Sequence, residues 1–205
     1  MKKLVVASKN KGKLIELTRL LDMPEIELVC LDDFSSAPDV EETAKSYRGN
    51  AKLKLLSALA HTDLPCFADD SGLEVDALEG APGIYSARFS GKIANDGKNN
   101  YKLMTELSGY TDPAQRKARF RAVIAFAEPS QNQPDAKIHY FEGVSEGHIA
   151  LEARGKGGFG YDPLFVPEGY TKCMAELEPA EKDKISHRGR ACAKLKEFLK
   201  EHWLS

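Results

Sequence analysis

The fold turns on residues 3–21, KLVVASKNKGKLIELTRLL. Lys3–Ala7 is a short β-branched run, and Lys11–Leu21 sets Leu14, Leu17, Leu20 and Leu21 at helical spacing. A strand that passes through a tight polar turn into a helix is the opening of an α/β unit. The turn itself, SKNKGK at 8–13, gathers Ser8, Lys9, Asn10, Lys11, Gly12 and Lys13 at a helix N-terminus, where backbone N–H groups and ammonium groups suit an anion. It is not a Walker loop, which needs glycine at the position of Ala7 and Ser or Thr at that of Leu14. A solvated lysine-rich turn accounts for the same spacing equally well.

Working outward, Thr43–Ala60 repeats the helical pattern through Tyr47, Ala51, Leu55, Ala58 and Leu59, then leads into a strand at Cys66–Ala68. A long Gly- and Pro-containing stretch, EGAPGIYSARFSG at 79–91, has the length of a functional loop and precedes a helix from about Asn95 to Leu107. Residues 118–128 and 138–150 read as antiparallel strands joined by a polar, proline-containing hairpin-like connection. The chain closes on an amphipathic helix carrying Ala191, Leu195, Phe198 and Leu199, with Ser186 as its N-cap. Helices at both ends with strands between them predict an α/β fold on a mixed sheet, in a single domain spanning 1–205.

Composition narrows the classes. Hydrophobic residues at 42% and charged residues at 29% are those of a soluble globular chain. A net charge of -2 argues against broad adhesion to nucleic acid or anionic membrane, so any anion site has to be local. No apolar stretch approaches the roughly 20 residues of a membrane span, and the N-terminal apolar run is too short for a signal peptide. The expected location is the cytoplasm. Cys30, Cys66, Cys173 and Cys192 lack metal-site or disulfide-framework spacing and read as reduced packing residues.

Chemistry concentrates in three further segments. In CFADDSGLEVD at 66–76, Asp69 and Asp70 stand side by side, an arrangement that costs free energy unless a cation is near. Three readings fit: a capped turn; half of an aspartic-protease dyad, whose second Asp-Ser-Gly is missing from this chain; or ligands for Mg²⁺, with one acid left to activate water and Glu41 and Glu42 completing the cluster. In RGKGGFGYDP at 154–163, Phe159 and Tyr161 among glycines offer a stacking face, and Asp162 an acceptor. Lys182 and Ser186-His187-Arg188 place cations near a helix start. Each of these, taken alone, also reads as an ordinary loop or charged helix end.

In this order, Ser8-x-Asn10-x-x-Lys13-x-x-Glu16, Glu41-Glu42-Thr43, Asn50-x-x-x-Lys54, FADDSGLEVDALEGAPGIYSARFSG, GGFGYDPLF and ISHRGRA resemble the inosine triphosphate pyrophosphatase family, also called non-canonical purine nucleoside triphosphate pyrophosphatases. The match covers nearly the whole chain. The resemblance implies a twisted mixed β-sheet flanked by helices, two lobes around a central nucleotide cleft, and a homodimer. It implies Mg²⁺-dependent hydrolysis of ITP, dITP and XTP to the monophosphate and pyrophosphate, which clears them from the nucleotide pool before incorporation into DNA or RNA. Carried over by motif, Asp70 is the general base and, with Glu41, the Mg²⁺ ligand. Ser8 to Lys13 hold the triphosphate. Ser71, Phe159, Gly160, Tyr161, Asp162, Lys182, His187 and Arg188 bind the nucleotide, and Asp69 and Lys54 support the site. The chain departs from the family pattern at Ser8, often Thr, and at Gly49, often Glu. A non-catalytic nucleotide sensor and a pyrophosphatase for modified pyrimidine nucleotides are the competing functions.

Overall fold

β1 (Lys2–Val6) forms because Leu4, Val5 and Val6 are β-branched or bulky residues with apolar cover on both faces; all three are buried. In this computed structural model, which describes residues 1–31, 40–93, 95–130 and 136–204, it runs through the SKNKGK turn into α1 (Lys11–Leu20). Asn10 caps that helix by accepting from the Lys13 N–H at 3.0 Å. β2 (Ile26–Cys30) follows and pairs with β1 in parallel, Leu4 opposite Leu28 and Val5 opposite Val29. α2 (Tyr47–Leu59) starts later than the Thr43 expected from periodicity, because Ser46 caps it through the Gly49 N–H at 3.1 Å and the Ala44 N–H is taken by the Asn50 side chain at 3.0 Å. β3 (Cys66–Val75) also pairs with β1 in parallel, Val5 opposite Cys66.

The remaining elements are α3 (Asp96–Glu106), β4 (Lys117–Ala127), β5 (His139–Ile149), β6 (Phe165–Pro167), α4 (Pro179–Ile185) and α5 (His187–His202). The strand order is β2-β1-β3-β4-β5-β6, with β6 antiparallel to β5. Parallel and antiparallel pairings in one sheet make this the mixed α/β fold expected. Part of the hairpin-like connection expected between β4 and β5, residues 131–135, lies outside the described residues. Ser186 does cap α5, accepting from the Gly189 N–H at 3.0 Å.

The strand expected at Cys66–Ala68 does not stop there: β3 continues through Asp69, Asp70, Ser71 and Gly72 to Val75, against the low strand preference of those residues. The side chains of Leu73 and Val75, both fully buried, hold the second half of the strand in an apolar core.

The chain divides into two compact units, residues 1–70, 122–142 and 191–205, and residues 71–121 and 143–190. The first has a core of Leu4, Val6, Leu17, Leu21, Phe67, Ile124, Phe126, Leu195 and Leu199. The second packs Leu73, Val75, Leu103, Leu107, Phe120, Ile149, Tyr161, Leu164 and Phe165. Each such side chain contributes ~1.5–3 kcal/mol on full burial. The second unit also buries Arg116, which donates to the carbonyls of Ile149, Leu107, Tyr110 and Ala150 at 2.8–3.2 Å. Burial lowers its pKa, and the four carbonyls take the place of water around the guanidinium. All four cysteines are reduced thiols; burial pushes the Cys66 thiol up to about 12, which leaves it an inert packing group.

Candidate functional site

In the first unit the β1–α1 turn and β3 supply opposite charges. Lys13, one turn into α1, reaches Asp69 Oδ2 at 2.8 Å. Lys54, on α2, donates to Asp70 Oδ1 at 2.6 Å and to the Asp69 carbonyl at 3.1 Å, and pairs with Glu42 Oε1 at 2.8 Å. An ammonium has three hydrogens, and these three acceptors match them. Successive strand residues point to opposite faces, and the two carboxylates contact different lysines, Asp69 with Lys13 and Asp70 with Lys54, while Lys13 also lies near enough to act on Asp70. A shared-proton dyad has no support in this arrangement.

Both acids are buried, Asp69 at 2% and Asp70 at 5% exposure. Burial pushes the Asp70 carboxyl above its ordinary value; Lys54 and then Lys13 pull it part of the way back, and Glu42 adds to the rise. For Lys54, burial acts to lower the ammonium, and Asp70 and Glu42 outweigh it, so the net direction is upward. The pair thus sets an ammonium held in its charged form against a carboxylate that holds a proton more readily than an exposed aspartate. Glu42 joins this network, whereas Glu41 is exposed. Gly49 explains how the 41–44 segment lies so close to α2: a Cβ there would stand 2.6 Å from Ala44 Cβ. Ser8 is half-buried, and its Oγ accepts from the Asn10 N–H at 3.3 Å; Lys9 and Lys11 are exposed, and Gly12 is half-buried.

Among the described residues, no group of three or more His, Cys, Asp or Glu side chains is arranged as a metal cage. A hard divalent cation that shares its ligands with substrate phosphates needs only one or two carboxylates. Asp70 and Glu42 meet that need: both are oxygen donors already gathered around one cation, the Lys54 ammonium.

In the second unit the glycine-rich segment is a tight nest. Asp162 Oδ2 accepts from the Phe159 N–H at 2.9 Å and from Lys182 Nζ at 2.7 Å, a contact buried on both sides. Gly158, at φ 71°, leaves room for that carboxylate; a Cβ would meet Asp162 Oδ2 at 2.1 Å. Lys182 and Arg188 stand over the Phe159 ring at 5.4 and 5.5 Å, cation–π distances. Arg188 also donates to Ser71 Oγ at 2.8 Å. His187 is buried and stacks on Phe120 at 4.7 Å. Tyr161 is a core residue, 4% exposed, with its hydroxyl donating to the Ser86 carbonyl at 2.8 Å, so half-buried Phe159 is the aromatic ring of this loop that stays outside the core. Gly160 is held by two residues of α3 absent from the sequence reading, Asp96 and Asn100.

A mixed α/β sheet carrying a carboxylate–ammonium network in one unit and a basic–aromatic glycine loop in the other defines the class. The sequence matches the Ham1 family over residues 4–198, and the chain belongs to that family. It is 47% identical over 199 residues to a dITP/XTP pyrophosphatase of Porphyromonas gingivalis, covering 97% of this chain and 98% of the relative. It is 48% identical over 197 residues to a dITP/XTP pyrophosphatase of Desulforamulus reducens, covering 96% and 95%. Among solved structures, a HAM1 protein from Coxiella burnetii superposes with a TM-score of 0.85 at 43% identity, over 98% of this chain and 100% of that one. The Staphylococcus aureus Ham1 protein gives 0.84 at 38% identity, over 98% and 99%.

Proposed function

We propose that this chain, as one functional domain over 1–205, hydrolyses non-canonical purine nucleoside triphosphates, ITP, dITP and XTP, to the monophosphate and pyrophosphate, and so keeps them out of DNA and RNA. The observation that carries the reading is the buried Asp70 carboxylate, held at 2.6 Å by Lys54 and raised in pKa by burial, in a chain whose relatives bear the dITP/XTP pyrophosphatase name. A general base needs that combination of a fixed position and a proton affinity above the ordinary carboxylate range.

In the first unit, Ser8, Lys9, Asn10, Lys11, Gly12 and Lys13 take the triphosphate at the start of α1, where N–H groups and ammonium charges favour a polyanion. Asp70 orients a water and accepts its proton as the water oxygen bonds to the α-phosphorus and the bond to the β-phosphate oxygen breaks. Asp69 keeps Lys13 oriented. Asp70, with a second carboxylate from Glu41 or Glu42, would hold Mg²⁺, which when bound offsets charge on the phosphate oxygens and the leaving pyrophosphate. In the second unit, Phe159 stacks on the base. Arg188, with Ser71, and Lys182, with Asp162, fix its edge and the sugar, while His187 and Tyr161 brace the loop from the core. Preference for a 6-oxo over a 6-amino purine follows from donors aimed at the oxo group, since an amino group leaves them unpaired. The reading places the enzyme in the cytoplasm as a homodimer; among the described residues no helix is long and apolar enough to cross a membrane.

The test is pyrophosphate release from ITP, dITP, XTP, the canonical triphosphates and modified pyrimidine triphosphates, each with and without Mg²⁺. Asp70→Asn should keep the fold and lose nearly all turnover. Equal rates on canonical nucleotides, release of orthophosphate instead of pyrophosphate, or near-normal kcat in Asp70→Asn would each overturn the assignment.

A further inference from the structure

The glycine–aromatic loop is fixed from an unexpected side. Asp96 and Asn100 lie four residues apart on α3 and so share one helical face. Asp96 Oδ2 accepts from the Gly160 N–H at 2.7 Å, and Asn100 Nδ2 donates to the Gly160 carbonyl at 3.0 Å. One glycine residue is thereby gripped at both its donor and its acceptor. Gly160 sits in the left-handed region at φ 63°, between Phe159 and Tyr161, where a Cβ would meet only open space. Turning either peptide that flanks Gly160 means breaking one of these bonds, and that turn would swing the Phe159 ring.

The same helix holds the neighbouring 83–91 loop. Asn99, buried at 2% exposure, accepts from the Ser90 N–H at 2.8 Å and donates to the carbonyls of Ser86 and Ala87 at 3.3 and 3.1 Å. The Ser86 carbonyl is also where the Tyr161 hydroxyl docks. α3 therefore sets both loops at once, and Asn95 anchors its start by accepting from the Lys98 N–H at 2.8 Å.

We propose that Asp96 and Asn100 are positioning residues for base selection: their two-point grip on Gly160 fixes the plane of Phe159 and thereby the discrimination between 6-oxo and 6-amino purines. This rests on the assignment of the 158–162 loop to the base. Neither residue moves a proton or meets a phosphate, so their loss should act on KM and on the choice between bases while kcat stays near normal.

The experiment compares wild type with Asp96→Ala, Asp96→Asn, Asn100→Ala and Asn100→Asp, reading kcat and KM for dITP and dATP together with Tm. Asp96→Ala and Asn100→Ala should raise KM for dITP about 3- to 10-fold, the loss of one ordinary hydrogen bond, with kcat within about twofold and the dITP-over-dATP preference narrowed. Asp96→Asn keeps an acceptor for the Gly160 N–H and should restore most of the loss. Asn100→Asp sets an acceptor against the Gly160 carbonyl and should be worse than Asn100→Ala. If one alanine variant fails to fold, the other position's pair carries the test. Folded variants with unchanged KM, or variants that lose kcat and Tm in step at constant KM, overturn the proposal while the pyrophosphatase reading stands. A wild type without activity on dITP overturns that reading and this one with it.

Discussion

Replacing Lys54 by methionine removes one ammonium and leaves three acceptors behind: Asp70 Oδ1, the Asp69 carbonyl and Glu42 Oε1. The Lys54 side chain is 15% exposed and that of Asp70 6%, so water reaches the orphaned carboxylate poorly. Removing one partner of a buried pair costs ~3–5 kcal/mol, and the limited access around Lys54 puts this case near ~3 kcal/mol. For a chain of this size that lowers Tm by roughly 6–12 °C. The effect has a pH signature. Burial already raises Asp70, and Lys54 is the first of the groups opposing that rise, so the variant's carboxyl rises further. A carboxyl with a raised folded-state pKa favours the folded state below its unfolded value and loses that contribution as pH climbs through the folded one. The deficit of Lys54→Met should therefore be largest near about pH 7.5 and shrink near about pH 5. Adding Asp70→Asn should recover at least ~1.5 kcal/mol of it. Urea unfolding of wild type, both single variants and the double variant, in metal-free buffer at both pH values, gives every number needed. A loss under ~1 kcal/mol at both pH values, or a deficit that grows in acid, refutes the reasoning.

Three further outcomes are expected. Lys13→Ala should raise KM for the triphosphate roughly tenfold or more, the worth of a charge-assisted contact, and an unchanged KM in steady-state assays would make the β1–α1 turn a surface feature only. Gly158→Ala forces a Cβ to 2.1 Å from Asp162 Oδ2 at a positive φ, and should cost ~1–3 kcal/mol by thermal unfolding while weakening dITP binding; a variant with wild-type Tm and KM would contradict the nest. Between Glu41→Gln and Glu42→Gln, the second should demand the higher Mg²⁺ concentration for half-maximal rate, because Glu42 is the acid drawn to Lys54; the reverse order in a Mg²⁺ titration would return the ligand role to Glu41.

The opening strand and helix were legible because their apolar spacing is set by faces that a core must cover, and the same holds for β4, β5, α3 and α5. β2 and β6 were not seen: Glu27 breaks the apolar run of Ile26–Cys30 and Phe165–Pro167 is three residues long, so neither carries a clear period, and neighbouring strands rather than their own composition make them strands. The run of β3 through Asp69, Asp70, Ser71 and Gly72 defeats local preference for the same reason, since it stands on lysines from α1 and α2 and on the core beneath Leu73 and Val75. The acids, the lysines and the glycine–aromatic loop were all visible as residue types in motifs. Their pairing was not: Lys54 gathers Glu42 together with Asp70, and Tyr161 belongs to a core. Asp96 and Asn100 left no signal because their partner is a backbone peptide, which every residue possesses.

The saturated coordination of Lys54 has a consequence for traffic through the protein. An ammonium whose three hydrogens are engaged has no idle affinity to attract passing anions, and any newcomer must exchange places with a carboxylate already there. Chloride or a lone orthophosphate arrives with no partner for the carboxylate it would displace. On the proposed function, a polyanion arriving with its own divalent counter-ion would bring a substitute partner for the displaced carboxylate, so the resting arrangement would favour that visitor over a bare anion.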